Sequence, residues 1–173
     1  MNRLQQAIVW LRRVGHSRGF GIQSPTDYRF VRYVVNEHWP YYAYAALGRA
    51  DGWQRRKLGR LYFRLANHFQ PAVVLDLVGT GEYVQAGCRK SVLTKDFTAS
   101  PDLIIAPPGA DLTRLLSLCS EQTVLVIEDV GRHPELWAAI AAQERPAVTF
   151  DLYYCGIACF DAQRERQHYI INF

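Results

Sequence analysis

Cysteine is scarce and scattered in this 173-residue chain. Its four cysteines, Cys88, Cys119, Cys155 and Cys159, form no C-x-x-C pair and have no histidine cluster beside them, which excludes the common zinc and redox motifs. Cys155 and Cys159 suit one face of a strand, but four steps of ~3.3 Å hold them too far apart to be bridged. Four buried free thiols in a reducing compartment are expected. Long apolar runs are also missing, and none reaches the ~20 residues that cross a bilayer. The opening MNRLQQAIVWLRRV lacks the apolar core and small-residue cleavage site of a secretion signal. A cytoplasmic protein with no membrane partner is expected. There is no internal repeat and no low-complexity segment.

Acid is nearly absent from the first 70 residues, where 12 Lys and Arg face 3 Asp and Glu; the remaining 103 residues carry 8 against 13. The net charge of +4 therefore hides a basic half and an acidic half. A basic half invites a polyanion. The competing reading is that arginine stems cover apolar helix surface, or that their heads pair with the acidic half. At this length one well-buried domain is expected rather than two.

The first half reads as helices. Leu4, Ile8 and Leu11 recur at helical spacing among Arg3, Gln5, Arg12 and Arg13, an amphipathic helix whose usual fate is packing on the rest of the protein. Ser24 reads as an N-cap, with Pro25 first in the helix and Asp27 in its first turn. That helix runs to about residue 35 on an apolar face of Phe30, Val31, Val34 and Val35. The stretch WPYYAY at 39–44 is dense in aromatics, suited either to stacking on bases or to filling a gap between helix and loop. Residues 53–69 form the longest helix, with Leu58, Leu61, Tyr62, Leu65 and Phe69 as its stripe and His68 at its end as a partner for the helix dipole. Pro71 stops it.

The second half reads as buried strands alternating with connections. Residues 73–83, VVLDLVGTGEY, carry an apolar run closed by Gly79 and Gly81. This is the pattern of a strand buried on both faces and followed by a turn that lets a ligand approach the backbone. Asp76 lies inside the run and needs partners there. A short helix is expected over 83–90, a strand over 91–97 ending at Asp96, and a strand over 102–106. Asp111 caps a helix over 112–118. A strand over 123–127 ends in Glu128-Asp129, and a helix covers 135–143. Residues 148–153 and 156–160 form a hairpin, and 169–173 a last strand.

This order resembles the class I S-adenosylmethionine-dependent methyltransferases, in particular a bacterial branch with an N-terminal helical cap. The stretches that carry the resemblance are GIQSPTDYRFV at 21–31, KLGRLYFRLANHFQP at 57–71, VVLDLVGTG at 73–81, DLIIAPPG at 102–109, VLVIEDV at 124–130 and TFDLYYCGIACFD at 149–161. They span nearly the whole chain. The resemblance implies a truncated Rossmann-like methyltransferase fold of class α/β: a mostly parallel sheet, a C-terminal antiparallel hairpin and a helical cap. Residues 1–70 would be the cap and 71–173 the α/β core, in one compact domain. It implies S-adenosylmethionine as cofactor, held by Asp76, Gly79, Thr80 and Gly81 with Asp96 as the ribose carboxylate. Glu128 and Asp129 would orient or deprotonate an unknown methyl acceptor.

Three departures count against that activity. Val78 stands where the family's first turn glycine is expected, and Glu82 adds a negative charge where the cofactor's carboxylate would approach. Only residues 82–101 separate the first strand from DLIIA, room for one helix and one strand where the family has more. Pro107 takes a place that metal-dependent relatives give to an aspartate, so Glu128 and Asp129 do not complete a metal site. Three functions are therefore expected in this order: a degenerate methyltransferase-like protein with weak or no cofactor binding, an active methyltransferase, and a polyanion- or nucleic-acid-binding module. The last would use Arg12, Arg13, Arg18, Arg55, Arg56, Lys57 and Arg60 with the aromatics of 41–44. A sheet edge exposed by lost strands makes a homodimer a further expectation.

Overall fold

A computed structural model describes residues 3–16 and 19–173. Arg18, one of the arginines expected to meet a polyanion, lies outside the described residues. The first helix, α1 (Arg3–Arg12), buries none of its side chains. Leu4, Ile8, Trp10 and Leu11 are all exposed, so the expected packing of its apolar face does not occur. What ties this segment down lies at its end: Arg13 donates to the Asp151 carboxylate at 2.8 Å and to the Ile171 carbonyl at 3.2 Å, and Asn172 Nδ2 donates to the Trp10 carbonyl.

Helix α2 (Pro25–Phe30) starts as its sequence dictates, with the Ser24 hydroxyl accepting from the Asp27 amide at 3.3 Å. It continues as a wider helical turn through residues 31–35, and Phe30, Val31, Val34 and Val35 are all buried. Helix α3 (Trp53–Phe69) has the expected bounds. Leu58, Leu61, Tyr62 and Leu65 are at most 2 % exposed, whereas Phe69, the last of the stripe, is 37 % exposed. Gln70 closes the helix in the left-handed region at φ 48°, just before Pro71. His68 lies in the last turn of the helix, as expected. Its ring packs against Phe30 and Phe69, and burial lowers its pKa.

The strands are β1 (Val73–Asp76), β2 (Val92–Thr94), β3 (Leu103–Ala106), β4 (Val124–Glu128), β5 (Val148–Asp151), β6 (Cys155–Cys159) and β7 (Gln167–Ile170). Between them lie α4 (Gly81–Gly87), α5 (Leu112–Leu118) and α6 (Pro134–Ala141). One sheet runs in the order β2-β1-β3-β4-β6-β5-β7. Strands β2, β1, β3 and β4 are mutually parallel, β6 runs antiparallel between β4 and β5, and β7 pairs parallel with β5. The protein is thus α/β, with a mostly parallel sheet and a C-terminal antiparallel pair. Strand β2 is shorter than the residue 91–97 stretch suggested, and Val92 on this edge is 63 % exposed. The last strand falls at Gln167–Ile170 rather than 169–173.

Apolar runs with no visible alternation nevertheless alternate between two cores. Leu103, Ile105 and Val126 pack with Phe30, Leu58, Leu61 and Val84 on one face. Ile104, Ala106, Leu125 and Ile127 pack with Leu115, Trp137 and Ile140 on the other. The layers are α2, α3 and α4 on one side, the sheet, then α5 and α6. Helix α4 lies hard against α3: a Cβ on Gly87 would stand 2.2 Å from the Phe63 carbonyl oxygen. All four cysteines are free and buried, with Cys155 and Cys159 in the same core.

Candidate functional site

Strand β1 feeds β2 on one side, and the chain then returns to place β3 on the other. The carboxyl end of β1 is therefore the point where the winding reverses, the usual ligand position in open α/β sheets. Here the sequence supplies Asp76-Leu77-Val78-Gly79-Thr80-Gly81. The Asp76 carboxylate, 5 % exposed, is filled by its own turn. One oxygen accepts from the Val78 amide at 3.1 Å and the Gly79 amide at 2.8 Å. The other accepts from the Thr80 amide at 2.5 Å, and the Thr80 hydroxyl adds a further bond. Gly79 takes φ +74°, a conformation open to glycine at little cost. Its carbonyl accepts from Arg55 Nη2 at 2.5 Å. A Cβ on Gly81 would meet Leu93 at 2.4 Å, so the turn packs tightly on β2.

The acidic pair ends β4. Glu128 accepts from the Tyr62 hydroxyl at 2.7 Å. Burial pushes its pKa up, and the charges of Asp129 and Asp76 push the same way; the Tyr62 bond and the Arg55 guanidinium oppose them. Asp129 sits in the left-handed region at φ 56°. Its amide donates to the Tyr154 carbonyl at 2.7 Å, and its carboxylate accepts from Gln54 Nε2 at 2.8 Å. Burial pushes the Tyr62 hydroxyl and the nearby Cys155 thiol well above their ordinary pKa values, and Glu128 raises both further.

Five of the residues expected to form a site, Asp76, Gly79, Thr80, Glu128 and Asp129, thus gather at the strand ends beneath the first turns of α3, with Gly81 opening α4 beside them. Asp96 follows β2 in an exposed loop. Its carboxylate is spent on the Thr98 amide at 2.9 Å and the Thr98 hydroxyl at 2.7 Å, which lower its pKa. Gln54, Arg55 and Tyr62 were not expected there. A tyrosine inside a buried helical stripe is the signal that could have found Tyr62, because its hydroxyl must reach a partner. Chemically the group holds one carboxyl whose pKa burial raises, with a phenol as its donor. Among the described residues no group of three His, Cys, Asp or Glu side chains is placed to hold a metal ion.

A cleft of about 770 Å³ opens on another flank of α3. It is walled by Trp39, Tyr41, Tyr42 and Tyr44 from the aromatic stretch and by Arg56, Lys57, Arg60 and Arg64 from the helix. The aromatic stretch divides its labour. Tyr41 and Tyr44 pack edge-on against Phe63 with centroids 4.9 and 5.3 Å away, while Trp39 and Tyr42 are 72 % and 101 % exposed. None of the strand-end residues lines this cleft.

The chain matches no protein-family model, no curated protein and no solved structure. No helix among the described residues is long and apolar enough to cross a membrane.

Proposed function

We propose that this chain is a methyltransferase-like protein of truncated Rossmann-like architecture whose cofactor crevice is closed by its own residues, and that it serves as a binding partner rather than a catalyst. The observation that carries this reading is the occupancy of the β1 turn. Amides of such a turn can cradle an anionic ligand group. Here the amides of Val78, Gly79 and Thr80 already hold the Asp76 carboxylate, and Arg55 reaches across from α3 to the Gly79 carbonyl. Binding S-adenosylmethionine there would require breaking that set and displacing the Arg55 side chain. The short span between β1 and β3, one helix and a three-residue strand, leaves little floor for an adenine.

A second reading, an active methyltransferase on an unknown acceptor, is favoured by Glu128. Its raised pKa suits a group that exchanges a proton with an acceptor. Calorimetric titration with S-adenosylmethionine and S-adenosylhomocysteine separates the two. No heat at millimolar ligand is the expected result. Micromolar binding of either compound overturns the first reading and directs attention to release of S-adenosylhomocysteine with candidate acceptors.

A further inference from the structure

We propose that the groove along the outer flank of α3 binds single-stranded nucleic acid. The 770 Å³ cleft adjoins a second hollow of about 790 Å³, and the two share Asn36, His38, Trp53, Lys57 and Phe173. The second is lined by α1, including Arg3 and Trp10. The result is one elongated groove with aromatic faces along it and cations between them, the combination that lets bases stack while phosphates are neutralised.

The cations of this groove are not consumed by carboxylates. The ion pairs among the described residues, Arg13–Asp151 and Arg164–Asp27, involve none of them. Arg56 donates to the Gly48 and Asp51 carbonyls, and Arg64 to those of Val34 and Val35, so both keep their full charge. Lys57 Nζ lies 4.0 Å from the centre of the Phe173 ring and 5.5 Å from that of Trp53. Arg60 covers the Tyr44 ring at 4.7 Å, and its buried Nε has no hydrogen-bond partner. Glu37 is the one acidic side chain among the described lining residues, and the Tyr41 hydroxyl donates to it at 2.8 Å.

A second observation points independently to a ligand. Asn36 lines both hollows, is only 9 % exposed, and its Nδ2 meets no acceptor. A buried amide group without a partner is uncommon and costly. Exposed Trp39 and Tyr42 stand on the same wall, and exposed Trp53 where the hollows meet. The charge chooses the occupant: an uncharged apolar partner would leave Lys57 and Arg60 desolvated and unpaired, whereas a phosphate chain supplies acceptors at the spacing of successive nucleotides. The groove's length favours a strand over a single nucleotide. This inference is independent of whether the β1 turn takes a cofactor.

The test is fluorescence anisotropy of a labelled mixed-sequence single-stranded oligonucleotide with the full chain. Measurable binding is expected at 50 mM salt, weakening roughly 50-fold by 200 mM if about four phosphates are neutralised. Trp39→Ala and Tyr42→Ala should each weaken binding about 10-fold. Both residues are exposed, and unchanged melting temperatures will show that the fold survives. Arg89→Ala, an exposed arginine outside the groove, should change affinity less than about 2-fold. Absence of binding at low salt, indifference to both aromatic substitutions, or equal affinity for duplex each overturn the proposal. Competition by a mononucleotide as effective as that of the strand overturns it in favour of a free-nucleotide site.

Discussion

Helix α3 separates two regions that share its residues and differ in nearly everything else. On the strand-end flank, Gln54, Arg55 and Tyr62 reach acceptors within the chain: Asp129, the Gly79 carbonyl and Glu128. Asp76 is satisfied by its own turn. On the outer flank, Trp53, Lys57 and Arg60 meet aromatic faces, and two of the three buried side-chain nitrogens without a partner among the described residues, Asn36 Nδ2 and Arg60 Nε, lie there. Where a sheet of this winding normally receives a ligand, this chain has closed its hydrogen bonds internally. Where a helix surface is normally inert, it leaves two buried donors open, Asn36 Nδ2 and Arg60 Nε, beside arginines that are bonded. Satisfied polar networks rigidify, and unsatisfied ones mark surfaces that gain by binding.

The comparison is broken most forcefully at Asp76. Asp76→Ala removes the acceptor for three backbone amides and the Thr80 hydroxyl, and Thr80 is fully buried. A loss of roughly 3–4 kcal/mol in urea-monitored stability is expected. Asp76→Asn, which keeps one acceptor oxygen, should lose about half as much. A loss below 1 kcal/mol in both would show that the turn amides are free to serve a ligand. Next comes the wall itself. Gly87→Ala forces a Cβ against the Phe63 carbonyl at 2.2 Å, and backbone cannot swing aside as a side chain can. The expected cost is about 2–3 kcal/mol, seen as a lower midpoint in thermal unfolding.

Much of this contrast was written in the residues, and the unread part has physical causes. Helix α3 could be bounded to the residue, because its stripe, Pro71 and the chain's basic positions agree. The hairpin, the Asp111 cap and the buried strands were equally plain, since short apolar runs between breakers leave few alternatives. Gathering Asp76, Glu128 and Asp129 follows from parallel strands ending on one edge of a sheet. What sequence could not show is the state of those groups. That Asp76 is spent on its own turn, and that Arg55 crosses to Gly79, depends on where the start of α3 sits in three dimensions. Asp96, expected as a replacement for a ribose-binding carboxylate, bonds within its own loop. The bareness of α1 is also tertiary: its amphipathic pattern is sound, but Asn172 on the Trp10 carbonyl and Arg13 just beyond the helix hold it, not its apolar face. The aromatic stretch carried both of its readings at once, because Tyr41 and Tyr44 turn to Phe63 while Trp39 and Tyr42 turn to solvent.

Lys57 sharpens the outer half of the comparison. Burial, aided by Arg64, draws its pKa down to about 8. A lysine depressed in the folded state binds fewer protons folded than unfolded between that value and its ordinary 10.5. The Lys57 contribution, read as the difference between the wild type and Lys57→Met, should therefore be flat below pH 8 and rise between pH 8 and 10.5 by roughly 1–3 kcal/mol given partial solvent access, while the buried thiols with raised pKa values pull total stability the other way above pH 9. Lys57→Met should abolish that rise and stabilise the protein at pH 7, as measured by urea titration across the range. An unchanged rise would move its source to another group and leave Lys57 an ordinary solvated ammonium. In the proposed nucleic-acid groove, a phosphate laid over Lys57 would offset that cost.

Glu128 makes the smallest and most discriminating test of the inner half. Its folded pKa is raised, with burial the leading cause. The sign follows: its contribution favours the fold below its unfolded pKa, near 4.5, and is lost as pH rises through the folded value. At pH 7 the ionised carboxylate is therefore a mild burden. Glu128→Gln removes the charge and keeps an oxygen for the Tyr62 hydroxyl, although a neutral acceptor is the weaker one. A gain of less than about 1 kcal/mol at pH 7, vanishing near pH 4, is expected from stability curves at the two pH values. A loss at pH 7 would mean that Arg55 and Tyr62 hold Glu128 as a stabilised anion. The strand ends would then resemble the outer groove, with charge held ready in both, and the contrast across α3 would fail at the position where a reacting group was expected.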